Sequence, residues 1–560
     1  MKSIAIAVVV AALLLAASPA AAQWGKKYEP PPDSEPETDE AESTESEAKE
    51  PEEPDEDAPE IYDPAAGGTG EPPAVRPPWE SAVRRPEQTQ RDDTPLIEAA
   101  RSGDATAVDD LLATGADVDQ PGSLGHTALM VAAAGGHAEV IQALLAAGAR
   151  VEATDDAGST ALFHFPPAGD PAVARRLLAA GADVDAINRG GRTPLANAAL
   201  LGYEKVAEVL LDHGATVDVR ATDGLTPFAR AVLRGHLGVA RQLLDAGAEP
   251  NPLLAGDEPL LHRLAADEDL EALRLVLAAG GDPERRVGAG GGEGGNLRGE
   301  TPLGAAARLG KAAATELLLA AGADPASPDP AGDTPLRVAA RAGHAEVARV
   351  LLDHGVPVDD LGDTDGRTTP LMLALLEEHP EVVDLLLDRG AAHDVRNRAG
   401  TSPLMIAAYR NALEVAPRLL DLGAELDAEN RDGRTPLVFA VFFRFPEMVE
   451  LLAERGARVD VRSRIEEFGR VTPLALAAGR GHHEIARTLL AHGAEVGSEA
   501  DVEGIGWLTP LMLAARRGDV EMVELLLAAG ADPEQIGREG KLAADWARES
   551  GADEVLPLLD

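Results

Sequence analysis

The thirteen histidines are the side chains in this sequence best suited to bind a metal or to transfer a proton. They are scattered along the chain, and only His482 and His483, with His492 further on, resemble a group of metal ligands. Seven of the thirteen stand at recurring positions beside a glycine, which indicates a structural role. These positions lie directly after a glycine (His137, His236, His344, His482) or directly before one (His213, His354, His492).

The sequence lacks the motifs of the common catalytic sites. It has no cysteine, which excludes disulfides and thiol catalysis. Gly290, Gly292 and Gly295 formally match a Gly-x-Gly-x-x-Gly phosphate loop, but no strand precedes them, so a flexible Gly-rich insertion is the better interpretation. No Gly-x-Ser-x-Gly, P-loop or His-Glu-x-x-His motif occurs. We therefore predict that the protein is not an enzyme and has no catalytic residues, cofactor or metal ligands.

The stretch 188–220 shows the unit from which most of the chain is built. Thr193 can cap a helix through its hydroxyl, and Pro194 suits the first helical position because that position needs no N–H. Gly202 can end this short helix in the left-handed conformation. A second helix is predicted from about Glu204, where leucine and valine recur at helical spacing. Two such short helices cannot bury their apolar sides without a copy on each side.

Copies of this unit follow one another from about residue 91 to residue 560, mostly at intervals of 33 residues. A Thr-Pro-Leu helix start, a central glycine, a Leu-Leu second helix and a Gly-Ala exit at this period resemble the ankyrin repeat. The resemblance implies an all-α solenoid of about fourteen helix-turn-helix repeats with short hairpin loops. The positions equivalent to Thr193 are Thr94, Thr127, Thr160, Thr226, Glu258, Thr301, Thr334, Thr369, Ser402, Thr435, Thr472, Thr509 and Leu542.

Several repeats depart from the pattern. Ankyrin repeats often carry a histidine directly after Thr-Pro-Leu, and no copy here has one at that position, so a polar lock at this place is predicted to be absent. The repeat that begins at Glu258 has Leu261 in that slot and Asp267 in place of the central glycine. Coupling between neighbours is predicted to be weakest there. Pro166 and Pro167 predict that the first helix of the third repeat stops early.

Three insertions lengthen the array. Residues 287–299 are rich in glycine and are predicted to be flexible. Residues 462–470 and 498–508 are predicted to be longer fingers that carry Phe468 and Trp507 outward on loops.

The N-terminal 90 residues differ in composition from the repeats. Residues 1–22 begin with a positive charge, continue with an apolar run and end in small residues, as a cleaved secretory signal peptide does. Between residues 29 and 63 there are seventeen acidic residues and one basic residue, which predicts disorder. We predict a periplasmic or secreted protein with no stable membrane insertion after cleavage behind Ala22. The predicted domains are 1–22 signal peptide, 23–90 acidic tether, 91–286 N-terminal repeats, 287–299 Gly-rich insertion and 300–560 C-terminal repeats.

The charge of the chain restricts its partners. The sequence has 96 acidic and 50 basic residues, for a net charge of −46. An acidic body argues against nucleic acid, whose phosphates require a basic surface, and against adsorption to an anionic membrane. The ankyrin resemblance implies non-catalytic protein binding, as a scaffold or adaptor that we expect to be monomeric. The alternatives are binding of anionic glycans or peptides, and a role as an accessory or protective factor for a partner enzyme.

One part of the array stands out as a candidate binding site. Four of the eight phenylalanines fall within residues 439–445, and Arg444 replaces the central glycine of that repeat. The two preceding repeats also lack this glycine, with Glu378 and Asn411 in its place. Phe442 and Phe443 occupy first-helix positions that contact partners in ankyrin-like arrays. We hypothesise an aromatic anchor with an arginine rim, and the alternative is a locally overfilled core. The predicted site residues are Tyr409, Arg410, Phe442, Phe443, Arg480, Arg516 and Arg517.

Overall fold

The computed structural model describes residues 92–289, 297–362, 366–465, 468–502 and 506–559. The predicted signal peptide, the predicted tether and the middle of the Gly-rich insertion lie outside these residues. Within the described part, 27 α-helices follow one another as repeated helix pairs, which confirms the predicted all-α solenoid. No helix of this part has the length and the apolar character needed to cross a membrane.

The first six repeats contain eleven α-helices, because the third repeat has only one. The structure places them in chain order at α1 (Pro95–Ser102), α2 (Ala105–Ala113), α3 (Ala128–Gly135), α4 (Ala138–Ala146), α5 (Pro171–Ala179), α6 (Pro194–Leu201), α7 (Glu204–Asp212), α8 (Pro227–Leu233), α9 (Leu237–Asp245), α10 (Leu260–Asp267) and α11 (Leu270–Ala278).

Repeats seven to fourteen contain two α-helices each. These are α12 (Pro302–Arg308), α13 (Ala312–Ala320), α14 (Pro335–Ala342), α15 (Ala345–Asp353), α16 (Pro370–Leu376), α17 (Pro380–Asp388), α18 (Pro403–Arg410), α19 (Val415–Asp421), α20 (Pro436–Phe442), α21 (Pro446–Glu454), α22 (Pro473–Arg480), α23 (His483–Ala491), α24 (Pro510–Arg517), α25 (Val520–Ala528), α26 (Ala543–Ser550) and α27 (Leu556–Leu559).

The fourth repeat shows how local sequence sets the boundaries of each helix. The Thr193 hydroxyl accepts a hydrogen bond from the Ala196 amide at 3.2 Å, and Pro194 begins α6. Gly202 ends α6 with φ 73°, a conformation that residues with a Cβ rarely adopt. The helix pair then stacks on the next pair, with α6 against α8 and α7 against α9. Stacking of this kind buries the apolar sides that the short helices cannot bury alone.

The third repeat lacks a first α-helix altogether, whereas its prolines predict only that this helix stops early. A single 3₁₀ turn, Ala161–Phe163, stands in its place and is followed by extended backbone at His164. Pro166 and Pro167 come directly after this short segment, where further helix would need amide donors and would clash with the proline rings.

The sixth repeat begins one residue later than the sequence pattern predicts. The N-cap of α10 is Pro259 rather than Glu258. Asp267 is the last residue of α10, and the left-handed residue is the C-cap Glu268, which has φ 59°. The assignment of Glu258 as the position equivalent to Thr193 was therefore wrong by one residue.

This shift places His262, and not Leu261, in the slot after the helix start. The His262 side chain is buried, with Nδ1 2.8 Å from Glu258 Oε1 and Nε2 3.0 Å from Glu300 Oε2. Burial alone would lower the pKa of His262, but the hydrogen bonds to the two carboxylates outweigh it and hold the pKa above its usual value. A polar lock is thus present in the sixth repeat. The prediction that every repeat lacks one was wrong for this repeat.

The two longer fingers form β-structure that the sequence did not reveal. Each finger is an antiparallel hairpin, and the two hairpins pair through Arg470 and Asp501 into one four-stranded sheet. The strands are β1 (Ser463–Ile465), β2 (Gly469–Val471), β3 (Ala500–Val502) and β4 (Gly506–Leu508).

The aromatic residues of the fingers pack against neighbouring repeats instead of pointing outward on loops. Phe468 is half-buried against the core and lies beside Gly479 on α22. The Trp507 ring centroid lies 3.9 Å from the Arg538 guanidinium carbon. The predicted outward position of both side chains is therefore wrong.

The apolar core does not break where the sequence predicts the weakest coupling. One core cluster runs from the first repeat through the sixth and into the seventh, past the Gly-rich insertion. A second begins in the eighth repeat and continues to the fourteenth. A small separate cluster centred on the eighth repeat lies between them. The apolar core is therefore interrupted at the eighth repeat and not at the sixth.

A buried ion pair explains this interruption. Arg337 occupies a slot of α14 that most other repeats fill with apolar side chains, and it is 2% exposed. Its Nε donates to Asp333 Oδ1 at 2.7 Å, and Arg341 pairs with the other carboxylate oxygen at 2.6 Å. Burial would raise the pKa of Asp333, but the two guanidinium groups lower it below its usual value.

Candidate partner-binding site

Three successive first helices end in a left-handed residue that is not glycine. Glu378, Asn411 and Arg444 have φ of 62°, 53° and 63°, as the repeat phase predicts. This conformation costs a residue with a Cβ about 1–2 kcal/mol, although asparagine tolerates it better. Backbone strain retained in adjacent repeats is typical of a functional surface.

Aromatic rings from α18 and α20 meet beside these strained helix ends. The Tyr409 and Phe443 ring centroids are 4.8 Å apart, and Phe443 lies 4.9 Å from Phe442. Phe445 stacks on Phe443 at 6.4 Å. These distances are within the range in which aromatic pairs attract each other. The rings thus form a row across the tenth and eleventh repeats.

Burial divides the phenylalanines into two kinds. Phe439 is buried and belongs to the core, as the overfilled-core alternative predicts. Phe442 and Phe443 are half-buried and pack against the core, and so does Phe445. Tyr409 is 9% exposed and contacts the Phe443 ring. Phe442 and Phe443, at the positions predicted to contact a partner, therefore keep exposed ring area, while Phe439 and Tyr409 support them.

Arg480, the last residue of α22, extends this row into the twelfth repeat. Its guanidinium carbon lies 4.1 Å from the Phe442 ring centroid and 5.6 Å from that of Phe468. Its Nη1 also donates to the Phe442 carbonyl oxygen at 3.2 Å. These distances are typical of cation–π contacts. Phe468 was not predicted as a site residue, because only the folded β1–β2 hairpin returns it to α22.

Arg410 contacts Tyr409 at the other end of the row of aromatic rings. Its guanidinium carbon lies 5.1 Å from the Tyr409 ring centroid, and its Nη1 pairs with Glu378 Oε1 at 2.8 Å. The side chain is 28% exposed, so it can still reach a ligand. We call the connected set the aromatic–arginine surface, and it consists of Tyr409, Arg410, Phe442, Phe443, Phe468 and Arg480.

Positive charge is concentrated next to this surface. The pKa of His482 falls to about 4, because burial and then the charges of Arg444, Arg480 and Arg517 disfavour its protonation. Three guanidinium groups from three repeats therefore act on one imidazole. Such a concentration contrasts with the net charge of −46 of the whole chain. An anionic group would find a favourable potential here.

The two remaining predicted site residues lie at the margin of the surface. Arg517 reaches Gly481 in the preceding repeat and lies 3.7 Å from Asp519. Arg516 is exposed at the end of α24. Of the seven predicted residues, five form a continuous set of contacts, and these are Tyr409, Arg410, Phe442, Phe443 and Arg480.

The recurring histidines have the structural role that their spacing indicates. After the left-handed helix end, the histidine Nε2 bonds a backbone carbonyl of the preceding repeat, as His137 does to Arg101 at 3.1 Å and His344 to Arg308 at 3.0 Å. His483 lies 2.7 Å from Asp519, whereas His492 bonds a carbonyl of its own helix. The group suggested by His482, His483 and His492 therefore does not converge on one point.

Comparison with known protein families gives a match over most of the chain. A family model described as ankyrin repeats, in three copies, matches residues 83–155, 166–253, 261–361, 303–397, 371–463 and 463–537. No curated protein matches the chain.

Proposed function

The chain belongs to the ankyrin-repeat family, and we propose that it is a non-catalytic protein-binding scaffold whose partner docks on the aromatic–arginine surface. Ankyrin repeats are interaction modules, and this surface is the part of the described chain that combines strain, aromatic rings and positive charge. Aromatic and arginine side chains dominate the binding energy of protein interfaces.

The single observation that carries this proposal is the half-buried pair Phe442 and Phe443, with the Arg480 guanidinium over the Phe442 ring. The rings offer apolar area that is already ordered by the core, so little side-chain entropy is lost on binding. The neighbouring arginines favour a carboxylate in the same segment. We therefore infer that the partner presents an acidic peptide segment that contains an apolar or aromatic side chain.

Selection from a displayed peptide library tests this partner chemistry. Peptides that bind the full chain should be enriched in acidic residues next to an apolar side chain. Phe442→Ala should reduce their binding, whereas Leu233→Ala should not. Leu233 is the matched control because it is exposed and stands at the position of the fifth repeat that is equivalent to Phe442. Enrichment of peptides that bind both variants equally would place the binding site elsewhere.

A negatively charged glycan is the second candidate ligand, favoured by the positive charges around His482. A sulfated polysaccharide should then compete with the selected peptides and lose affinity in Arg480→Gln. A polysaccharide that fails to compete would leave the peptide as the ligand class.

We further propose that the scaffold acts outside the cytoplasm, supported by the signal-like residues 1–22. Cell fractionation followed by N-terminal sequencing tests this export. The mature chain should begin at Gln23, and a cytoplasmic chain that retains Met1 would contradict the proposal.

A further inference from the structure

A second group of polar side chains lies at the other end of the array, where the third repeat lacks its first α-helix. The 3₁₀ turn Ala161–Phe163 ends at His164, which has an extended backbone. In the third repeat, this residue therefore projects from a bent segment and not from a helix. His126, just before the Thr127 cap of α3, approaches from the second repeat.

Asp155 completes the group from the hairpin of the third repeat. It is 8% exposed, and its Oδ1 accepts from the amides of Ala157 and Ser159, each at 2.8 Å. Asparagine performs this hairpin role elsewhere, since Asn188 Oδ1 accepts from Gly190 and from a second amide in the same way. The hairpin thus needs only one side-chain oxygen. The second oxygen of Asp155 is free to face the histidines.

The second carboxylate oxygen does face both imidazoles. His164 Nε2 lies 3.3 Å from Asp155 Oδ2, and His126 Nε2 lies 3.8 Å from it. The three ligand atoms all lie within 4.8 Å of one another. The His164 Nε2 is inaccessible to solvent yet makes no well-aligned hydrogen bond. A buried polar atom of this kind usually has a partner, and this one faces the Asp155 carboxylate at a distance that a metal ion could bridge.

We propose that His126, Asp155 and His164 form a binding site for a divalent transition metal, with Zn²⁺ as the representative ion. Two imidazoles and one carboxylate are a common protein ligand set for zinc. Ligands about 2.0–2.1 Å from a tetrahedral zinc lie about 3.3–3.4 Å from each other. The separation of 3.3 Å between His164 and Asp155 already fits, and the imidazole of His126 needs only a small approach.

A metal at this position would connect two repeats. It would join the hairpin of the third repeat, through Asp155, to the second repeat, through His126. It would also fix the bent segment at His164, whose amide makes a single 3₁₀-type hydrogen bond to the Ala161 carbonyl. Binding to the folded state alone would stabilise these repeats. The three protein ligands leave a fourth position for water or for a group from a partner.

Titration of the full-length chain with Co²⁺, a spectroscopic substitute for zinc, tests the site. One ion per chain should bind with the visible absorption of a tetrahedral complex, and added Zn²⁺ should remove that absorption. Asp155→Asn should weaken binding at least tenfold, since it removes a ligand but keeps the hairpin acceptor. The matched control is Asp329→Asn, because Asp329 Oδ1 caps the equivalent hairpin of the eighth repeat in the same way. This control should bind Co²⁺ like the unchanged chain.

Hydrogen exchange gives an independent readout. Zn²⁺ should slow exchange around residues 161–170 in the unchanged chain and in Asp329→Asn, but not in Asp155→Asn. Binding that survives Asp155→Asn, or the absence of a tetrahedral Co²⁺ spectrum at one equivalent, would overturn the proposal. The three side chains would then be a hydrogen-bonded network without a metal.

Discussion

Replacing Arg337 by methionine shows whether the buried ion pair of the eighth repeat supports the array or weakens it. The Arg337 guanidinium donates to Asp333 and to the Thr368 carbonyl. The equivalent slot of the next repeat holds Met372, which is fully buried. Arg337→Met therefore introduces a side chain that this slot accepts elsewhere, and Asp333 keeps its pair with Arg341.

The expected magnitudes follow from desolvation. Exchanging a buried ion pair for apolar groups is often neutral or stabilising by about 1–4 kcal/mol, whereas removing one partner costs about 3–5 kcal/mol. Arg337→Met removes one member of the pair, but Asp333 keeps Arg341, so the unfolding free energy should stay unchanged or rise. Asp333→Thr copies Thr401 of a later repeat and leaves Arg337 buried without its carboxylate. It should lower the local stability by about 3–5 kcal/mol, a factor of more than a hundred in the opening equilibrium.

Hydrogen exchange of the full chain at pH 7 measures both effects, with α24 as an internal reference. Protection of the α14 amides should fall at least a hundredfold in Asp333→Thr and should not fall in Arg337→Met. A tenfold or larger loss in Arg337→Met, together with unchanged protection in Asp333→Thr, would refute the reasoning.

Gly202→Ala should destabilise the array more than Gly148→Ala, because both glycines have positive φ but only at Gly202 would a Cβ lie 2.5 Å from His236 Nδ1. Local hydrogen exchange separates the two variants, and equal effects would contradict the steric explanation. NMR should show His262 titrating above its ordinary pKa of 6.5, since its carboxylate partners favour the protonated form. Its contribution to stability should be complete below that value and disappear as the pH rises through the folded-state pKa. A pH dependence that persists in His262→Gln would assign this loss to another group. Arg444→Gly should stabilise the array by about 1 kcal/mol, because it relieves a positive φ, and should weaken binding of an acidic peptide. Tighter binding in this variant would contradict the assigned role of the arginine.

The repeat phase allowed most of the fold to be predicted from the sequence, because each cap depends on residues within one unit. Threonine, proline and glycine at fixed offsets define α6, and the left-handed Arg444 follows from the same count. In the sixth repeat, the repeat phase placed the helix cap one residue too early. There, Asn251 Oδ1 binds the Leu261 amide at 3.0 Å and replaces the missing hydroxyl of the cap. That contact spans a hairpin, so the local pattern does not contain it.

Features that depend on contacts between repeats could not be predicted. The four-stranded sheet requires Arg470 to meet Asp501 across two fingers, although neither finger shows strong strand character alone. The aromatic cluster was visible because four phenylalanines fall within residues 439–445, but Phe468 joins it only through the folded β1–β2 hairpin. His126 and His164 are far apart in sequence and meet because the third repeat lacks a helix.

The affinity of a selected acidic peptide for Phe442→Ala, compared with the unchanged chain and Leu233→Ala, tests the central claim most directly. Fluorescence anisotropy should show binding weakened about 30-fold in Phe442→Ala, equivalent to about 2 kcal/mol, and unchanged in Leu233→Ala. Because Phe442 is only half-buried, the variant should lose less stability than the 3–5 kcal/mol or so typical of a buried phenylalanine, and circular dichroism should confirm intact helices. Equal affinity for Phe442→Ala and the unchanged chain, or an equal loss in Leu233→Ala, would contradict the assignment of the aromatic–arginine surface as the partner-binding site.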